Sequence, residues 1–520
     1  MKIRLLYVAF LMLLTSCVSI KKHNEQISKL HSVKDLRKDI DELYSELKKY
    51  HPRLYQYRTK EVLDYKFDSL KNSLNKPLNS RDFYKKAVVV ISQMGHGHTA
   101  ISPPAKIRTK KERKLDLKMK NEFNELKFET LNSKLFISEG AESDSLLIGA
   151  QVLKINDEDI SDIYVNYRKT FSSDGFNTTF YDKAIGKHFK ELYLKNNGRQ
   201  DSIQLILSLK DSLFNRTFKR VLRKKTNSND KQKNSLKIKP NTKEKNKISW
   251  KEKRKYNKIH GYNYRDKTYN RNLEFIGKDS TIAYMKIRSF TKGNFKKFYE
   301  QSFAKIAQNE TQNLILDLRF NGGGKAKEIK NLYSYLTDKQ FQFYTRSEVK
   351  TRMPLLKVIY SNSTPAFTKI IFGAVSPFIA MHRMFSVEKE NGQLYFNYGT
   401  KNEKPNPLNF KGKIYVLING YSYSAAALLA TYLHGSKRAF FVGEETGGSY
   451  NGTVAGFMRQ HKLSNTKVVV RYGVLHIATP YKENPDGYGV KPDVEIIPTI
   501  KNRLNKTDPE LDWILNEIEK

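Results

Sequence analysis

Ile414-Tyr415-Val416-Leu417-Ile418-Asn419-Gly420-Tyr421-Ser422-Tyr423-Ser424-Ala425-Ala426-Ala427-Leu428-Leu429-Ala430-Thr431-Tyr432-Leu433 is the stretch on which the fold turns. Five apolar residues in a row read as a strand buried on both faces. Asn419-Gly420 is a turn signal. The Ala- and Leu-rich run that follows has high helix propensity. Ser424 therefore stands where a buried strand becomes a helix. A helix N-terminus carries partial positive charge and free N–H groups, which stabilise an alkoxide and a developing oxyanion. The small side chains of Ala425, Ala426 and Ala427 let a substrate backbone come close. The competing reading is local: Ser422 or Ser424 caps the helix, as Ser often does.

Working outward, Leu314-Ile315-Leu316-Asp317-Leu318 is a second buried strand, ending in Arg319-Phe320-Asn321-Gly322-Gly323-Gly324. Three glycines after a strand open backbone N–H groups to a substrate oxygen without side-chain obstruction. A phosphate-binding loop competes with this reading, but the Gly-Lys-Ser/Thr ending and the GxGxxG spacing are both missing. Thr281–Ile287, Phe440–Val442 and Val468–Val470 supply further strands, and a helix around Leu511, Trp513 and Ile514 closes the chain. The pattern from residue 273 onward is α/β.

Residues 33–75 carry Leu36, Ile40, Leu43, Leu47, Leu54, Phe67 and Leu70 at helical spacing, with Pro52 dividing two helices. A third helix over about 80–94 ends in Gly95-His96-Gly97-His98-Thr99. A glycine-flanked imidazole with an ordinary pKa near 6.5 suits proton transfer from a serine. His96 beside it makes a metal pair conceivable, but no HExxH or Cys/His cluster completes one, and no metal site is expected.

Residues 120–225 change to strand-like patterns. Gly149-Ala150-Gln151-Val152-Leu153-Lys154-Ile155-Asn156 resembles the middle of a PDZ domain, a module that holds extended peptides at a sheet edge. Residues 223–260 are rich in Lys, Asn, Ser and Arg, which is linker composition.

The chain has 520 residues, enough for two or three domains, and 39 % hydrophobic residues, enough for real cores. Its net charge is +41. No zinc finger, RNP box or basic-zipper pattern directs that charge to nucleic acid, and no nucleic-acid partner is expected. Cys17 is the single cysteine, so an intramolecular disulfide is excluded. It follows a basic start, Met1-Lys2-Ile3-Arg4, and an apolar run, Leu5–Leu14, too short to anchor by itself. Leu14-Thr15-Ser16-Cys17 resembles a bacterial lipobox, with Cys17 as the lipid-bearing residue. The expected location is the cell envelope, on a bacterial membrane. Residues 370–381 are apolar but also too short to span, and Pro377 interrupts them.

The LRFNGGG segment, the YSYSAAALLATYL turn, Val442-Gly443-Glu444-Glu445-Thr446-Gly447-Gly448 and Gly489-Val490-Lys491-Pro492-Asp493 resemble, in this order, the C-terminal processing (tail-specific) serine proteases. The tricorn core protease and interphotoreceptor retinoid-binding protein share the pattern. The similarity covers 273–500 well and 33–225 more loosely. It implies a ClpP/crotonase-like α/β protease core with an N-terminal helical unit and a PDZ-like β-rich domain. The family's nucleophile lies in a Ser-Ala-Ser-Ala-Ser-Glu-like turn whose middle serine falls on Ser424. Bacterial processing enzymes pair it with a lysine, at about Ser449 here, and no lysine occurs between Arg438 and Lys462. The tricorn-like branch uses a His, matched by His98, and an acid shortly before Gly-Val-x-Pro-Asp, which falls on Asp486 or Glu483. The oxyanion donors expected from the resemblance are Gly323 or Gly322 together with Ala425.

The expected organisation is a lipoprotein signal peptide at 1–16, a tether at 17–32, helices at 33–105 and the PDZ-like domain at 120–225. A basic linker follows at 223–272, then the protease core at 273–505 and a closing helix at 506–520. The expected activity is an envelope-anchored serine endopeptidase acting on peptide or protein substrates without a cofactor. The alternative is an inactive peptide- or lipophile-binding lipoprotein of the same fold, since fold does not fix function. An esterase using the same triad is a further alternative.

Overall fold

The computed structural model describes residues 19–140, 146–210, 212–222, 249–264, 266–277, 281–373 and 386–520. Cys17, most of the basic stretch and residues 374–381 of the apolar run lie outside them.

The strands read as buried build the central sheet. Its order is Arg271–Ile276, Ile282–Ile287, Asn313–Asp317, Lys413–Ile418, Phe440–Gly443 and Val494–Glu495. The first pair is antiparallel and the remaining four pairings are parallel. Parallel strands need cover on both faces. Leu314 and Leu316 point into one core with the helices Phe295–Gln308, Ala326–Ser334 and Ala425–Gly435. Ile315, between them, points into the other, against Ile514 of the helix Pro509–Glu519. This is the period-two alternation of a strand.

The N-terminal helices Val33–Tyr50, Lys60–Asn72 and Ser80–Ser92 form as their apolar spacing predicts, with Ser32, Thr59 and Asn79 as their N-caps. They pack on a second, antiparallel sheet that the sequence did not announce. That sheet contains Ala100–Ser102, Thr453–Lys462, Val469–Ile477, Ser347–Val349, Gln393–Phe396 and Val387–Glu390. Val469–Ile477, expected in the α/β core, belongs here instead. Ala100–Ser102 pairs with it, Ile101 opposite Val470.

Residues 119–222 hold a seven-stranded sheet with the helices Ile160–Thr170 and Thr179–Asn197 and a core of its own. It is a β-rich unit in which Gln151–Ile155 is a strand, as expected. Two expectations fail locally. Ile20–Ser28, read as tether, is a helix capped by Ser19 with no buried residue. Trp250–His260, read as linker, is a helix with a capping box at Ser249 and Glu252, and its Ile259 enters the main core.

The loop between the two helices of the β-rich unit clamps it to the α/β core. Asn177 Nδ2 donates to Glu445 Oε1 at 2.9 Å and to the Thr446 carbonyl at 3.0 Å. Lys183 forms a buried pair with Glu444 at 3.1 Å. A Cβ on Gly175 would lie 2.3 Å from the Gly487 Cα, and Gly175 has φ +62°, so only glycine fits.

Candidate active site

Ser424 heads the helix Ala425–Gly435 but does not cap it with its side chain. Its φ is +55°, in the left-handed half of the map that a serine rarely enters. Such a conformation costs on the order of 1–3 kcal/mol and persists only where neighbours enforce it. The neighbours are visible. Tyr423 N donates to the Asn321 carbonyl at 3.0 Å, and Phe320 N donates to Asn419 Oδ1 at 3.0 Å. Ser422 is the structural serine of the turn: its hydroxyl donates to the Leu318 carbonyl at 2.9 Å and accepts from Asn419 N at 3.1 Å.

His98 lies 326 positions earlier in the chain, yet its Nε2 is 3.0 Å from Ser424 Oγ. The turn between the helix Ser80–Ser92 and the strand Ala100–Ser102 presents it, and that strand ties it to the second sheet. Gly97 must be a glycine, because a Cβ would fall 1.9 Å from the Tyr423 hydroxyl. On its other side, His98 Nδ1 lies 3.1 Å from Thr453 Oγ1 and 3.4 Å from the Tyr423 hydroxyl. The Tyr423 ring stacks on the imidazole, centroids 5.1 Å apart.

The expected acids are elsewhere. Asp486 accepts from Gln56 Nε2 at 2.9 Å and from Gly487 N at 2.7 Å. Glu483 is exposed, and its backbone pairs with the Asn451 side chain. Neither touches His98. The carboxylate that acts on the imidazole is Asp174, 1 % exposed, on the loop Phe171–Thr178. Its Oδ1 accepts from Gly97 N at 2.8 Å. Burial holds the His98 pKa below its ordinary value; the Asp174 charge pulls it up and Arg471 pushes it down. Burial first, and then Asp174, hold the Tyr423 hydroxyl protonated.

The glycine loop also differs in detail. Gly323 N donates to Asn321 Oδ1 at 2.9 Å, so its N–H is already used. The N–H groups of Gly322 and Ala425 make no hydrogen bond among the described residues. Gly323 instead gives clearance, since a Cβ there would meet Ser424 Cβ at 2.7 Å. Asn321 is fully buried and donates to the Ile287 carbonyl at 2.8 Å, fixing the loop to the sheet.

Ser424, His98, Gly322, Ala425 and Thr453 line one cavity of about 710 Å³. Residues 281–496 match the profile described as peptidase family S41. The chain is a serine-type peptidase. Solved structures share its architecture. Mature CPAF complexed with lactacystin aligns with a TM-score of 0.61 at 14 % identity, over 94 % of this chain and 98 % of that one. Mature CPAF alone aligns at 0.58 and 15 %, over 93 % and 96 %. The photosystem II D1 C-terminal processing protease aligns at 0.41 and 13 %, over 89 % and 93 %. At these identities the likeness to the two CPAF structures is one of fold. A search of curated proteins finds no match.

Ser449, at the position expected to hold lysine in a processing enzyme, is a buried serine. Among the described residues no group of three or more His, Cys, Asp or Glu side chains is arranged to hold a metal ion. Sequence reading missed Asp174, Thr453 and Tyr423. The one available signal was Asp174-Gly175, a turn pair between two helical stretches.

Proposed function

We propose that the protein is an endopeptidase in which Ser424 is the nucleophile and His98 the general base and acid. The observation that carries this reading is the 3.0 Å approach of His98 Nε2 to an uncapped, left-handed Ser424 at a helix N-terminus. His98 Nε2 takes the Ser424 hydroxyl proton as Oγ bonds to the scissile carbonyl carbon. The carbonyl π pair moves onto oxygen, where the Gly322 and Ala425 N–H groups receive it. The imidazolium then returns its proton to the leaving amide nitrogen as the C–N bond breaks. Water attacks the acyl-enzyme with His98 again as base, and Ser424 leaves reprotonated.

The imidazolium needs its other nitrogen held and its charge answered. Nδ1–H donates to Thr453 Oγ1, with the Tyr423 hydroxyl alongside. The buried Asp174 supplies the negative charge from behind the Gly97 peptide. A lowered pKa keeps His98 neutral, and so ready as a base, at pH 7. The test is cleavage of an unstructured protein, followed by mass spectrometry. Ser424→Ala and His98→Ala are each expected to lower the rate by about a thousandfold or more. A rate within tenfold of the parent in either variant would sink the assignment and leave the peptide- or lipophile-binding reading.

We also propose that Cys17 carries a lipid that holds the enzyme on the cell envelope; the support is the short apolar run and the Leu14–Cys17 motif. Labelled palmitate should enter the parent and not Cys17→Ser, and equal labelling of both would refute it.

A further inference from the structure

The wall of the catalytic cavity carries Lys187, Arg288, Lys325, Lys327 and Arg471 and no carboxylate. Arg471 is the informative one. It lies on the strand Val469–Ile477, opposite Ala100 on one side and Gln460 on the other, in the sheet that delivers His98. It is exposed, whereas Arg319, which meets Asp317 and Asp508, and Arg459, which meets Glu46, are buried. The Arg471 side chain has no hydrogen-bond or ion-pair partner among the described residues.

That placement works against the proposed chemistry. A cation beside the general base disfavours the imidazolium that must form in the transition state, and Arg471 does lower the His98 pKa. The charged groups acting on His98 are Asp174 and Arg471, with the neutral Ser424, Tyr423 and Thr453 in contact. Asp174 is fixed and buried. Arg471 faces the cavity, where a ligand can neutralise it.

We propose that Arg471 is a subsite for a carboxylate of the peptide substrate, so that the enzyme selects acidic peptides. This rests on the cavity being the peptidase site. A guanidinium fork receives a carboxylate by two parallel hydrogen bonds. Seating the carboxylate also removes the cation's penalty on the base, so the selected substrate gains in kcat as well as in KM. The carboxylate is that of an Asp or Glu side chain.

The experiment digests a randomised decapeptide library, once with free and once with amidated C-termini, and reads products by mass spectrometry. The parent should enrich Asp and Glu about tenfold at one fixed offset from the cut in both libraries. A preference that vanishes in the amidated library overturns the inference. Arg471→Gln should erase the preference, lowering turnover of the acidic peptides and raising that of neutral ones. Arg471→Lys, a point charge without the fork, should fall between. Products without that preference, or a preference that survives Arg471→Gln, also overturn it. Ser424→Ala run in parallel keeps the two readings apart: products that persist in that variant count against the peptidase site itself.

Discussion

Two buried carboxylates of this chain have opposite surroundings. Asp317, at the end of its strand, is fully buried and takes hydrogen bonds from Lys286 at 2.7 Å, Arg319 at 2.9 Å and Tyr284 at 2.6 Å. Arg319 continues to Asp508 at 2.6 Å and Glu510 at 3.2 Å. Every charge there is answered, and the network ties the glycine loop to the closing helix. Asp174 is as deeply buried, but its hydrogen-bond partners are neutral, the Gly97 backbone and the Tyr423 hydroxyl, and it has no ion pair among the described residues. A carboxylate with a permanent cation anchors structure. One left without a cation keeps its charge for the imidazolium that appears during turnover.

The largest effect is expected on the anchored side. Arg319→Leu strands Asp317 with one cation and leaves Asp508 and Glu510 without theirs, costing about 3–5 kcal/mol in urea unfolding. The His98–Ser424 contact is not part of that network, but the Gly322 loop is, so activity should fall at least as far as the folded fraction. The same network sets an acid limit. Arg319 and Lys286 hold the Asp317 pKa well below its ordinary value against the opposing effect of burial. Its contribution is present above about pH 4 and lost as the pH falls towards the folded-state pKa, which unfolding curves at pH 3–7 will detect.

Asp174→Asn keeps an oxygen for Gly97 N and removes the charge. Stability should change by about 1 kcal/mol or less, while kcat falls about tenfold to a hundredfold. Because Asp174 raises the His98 pKa, its loss should move the acid limb of kcat/KM to lower pH. An unmoved limb with unchanged kcat would make Asp174 a second anchor and erase the contrast. Thr453→Val removes the 3.1 Å partner of His98 Nδ1 and should cost about fivefold in kcat with no shift of the limb, in the same pH–rate profiles.

How much was legible follows from how local each signal is. The strand–turn–helix around Ser424 is written in twenty consecutive residues, and the structure keeps it. The glycine loop was legible as a backbone feature, but not the capture of the Gly323 N–H by Asn321, which depends on an amide orientation. His98 was marked by its place in Gly95-His96-Gly97-His98-Thr99, next to Gly97. Its route to Ser424 was not, because Val468–Val470 read as one more core strand while belonging to the sheet that carries His98. Spacing to Gly489-Val490 pointed to Asp486 and Glu483. It said nothing of Asp174, which reaches the site through a glycine-on-glycine contact, Gly175 on Gly487, between distant loops.

The central claim is that Ser424 is activated by His98 in the resting protein. The direct measurement is the rate of covalent labelling by a fluorophosphonate, with the labelled peptide identified by mass spectrometry. The account predicts label on Ser424, none in Ser424→Ala, and a rate at least about a hundredfold lower in His98→Ala. Label on another residue, an undiminished rate in His98→Ala, or a folded parent that takes no label would contradict it.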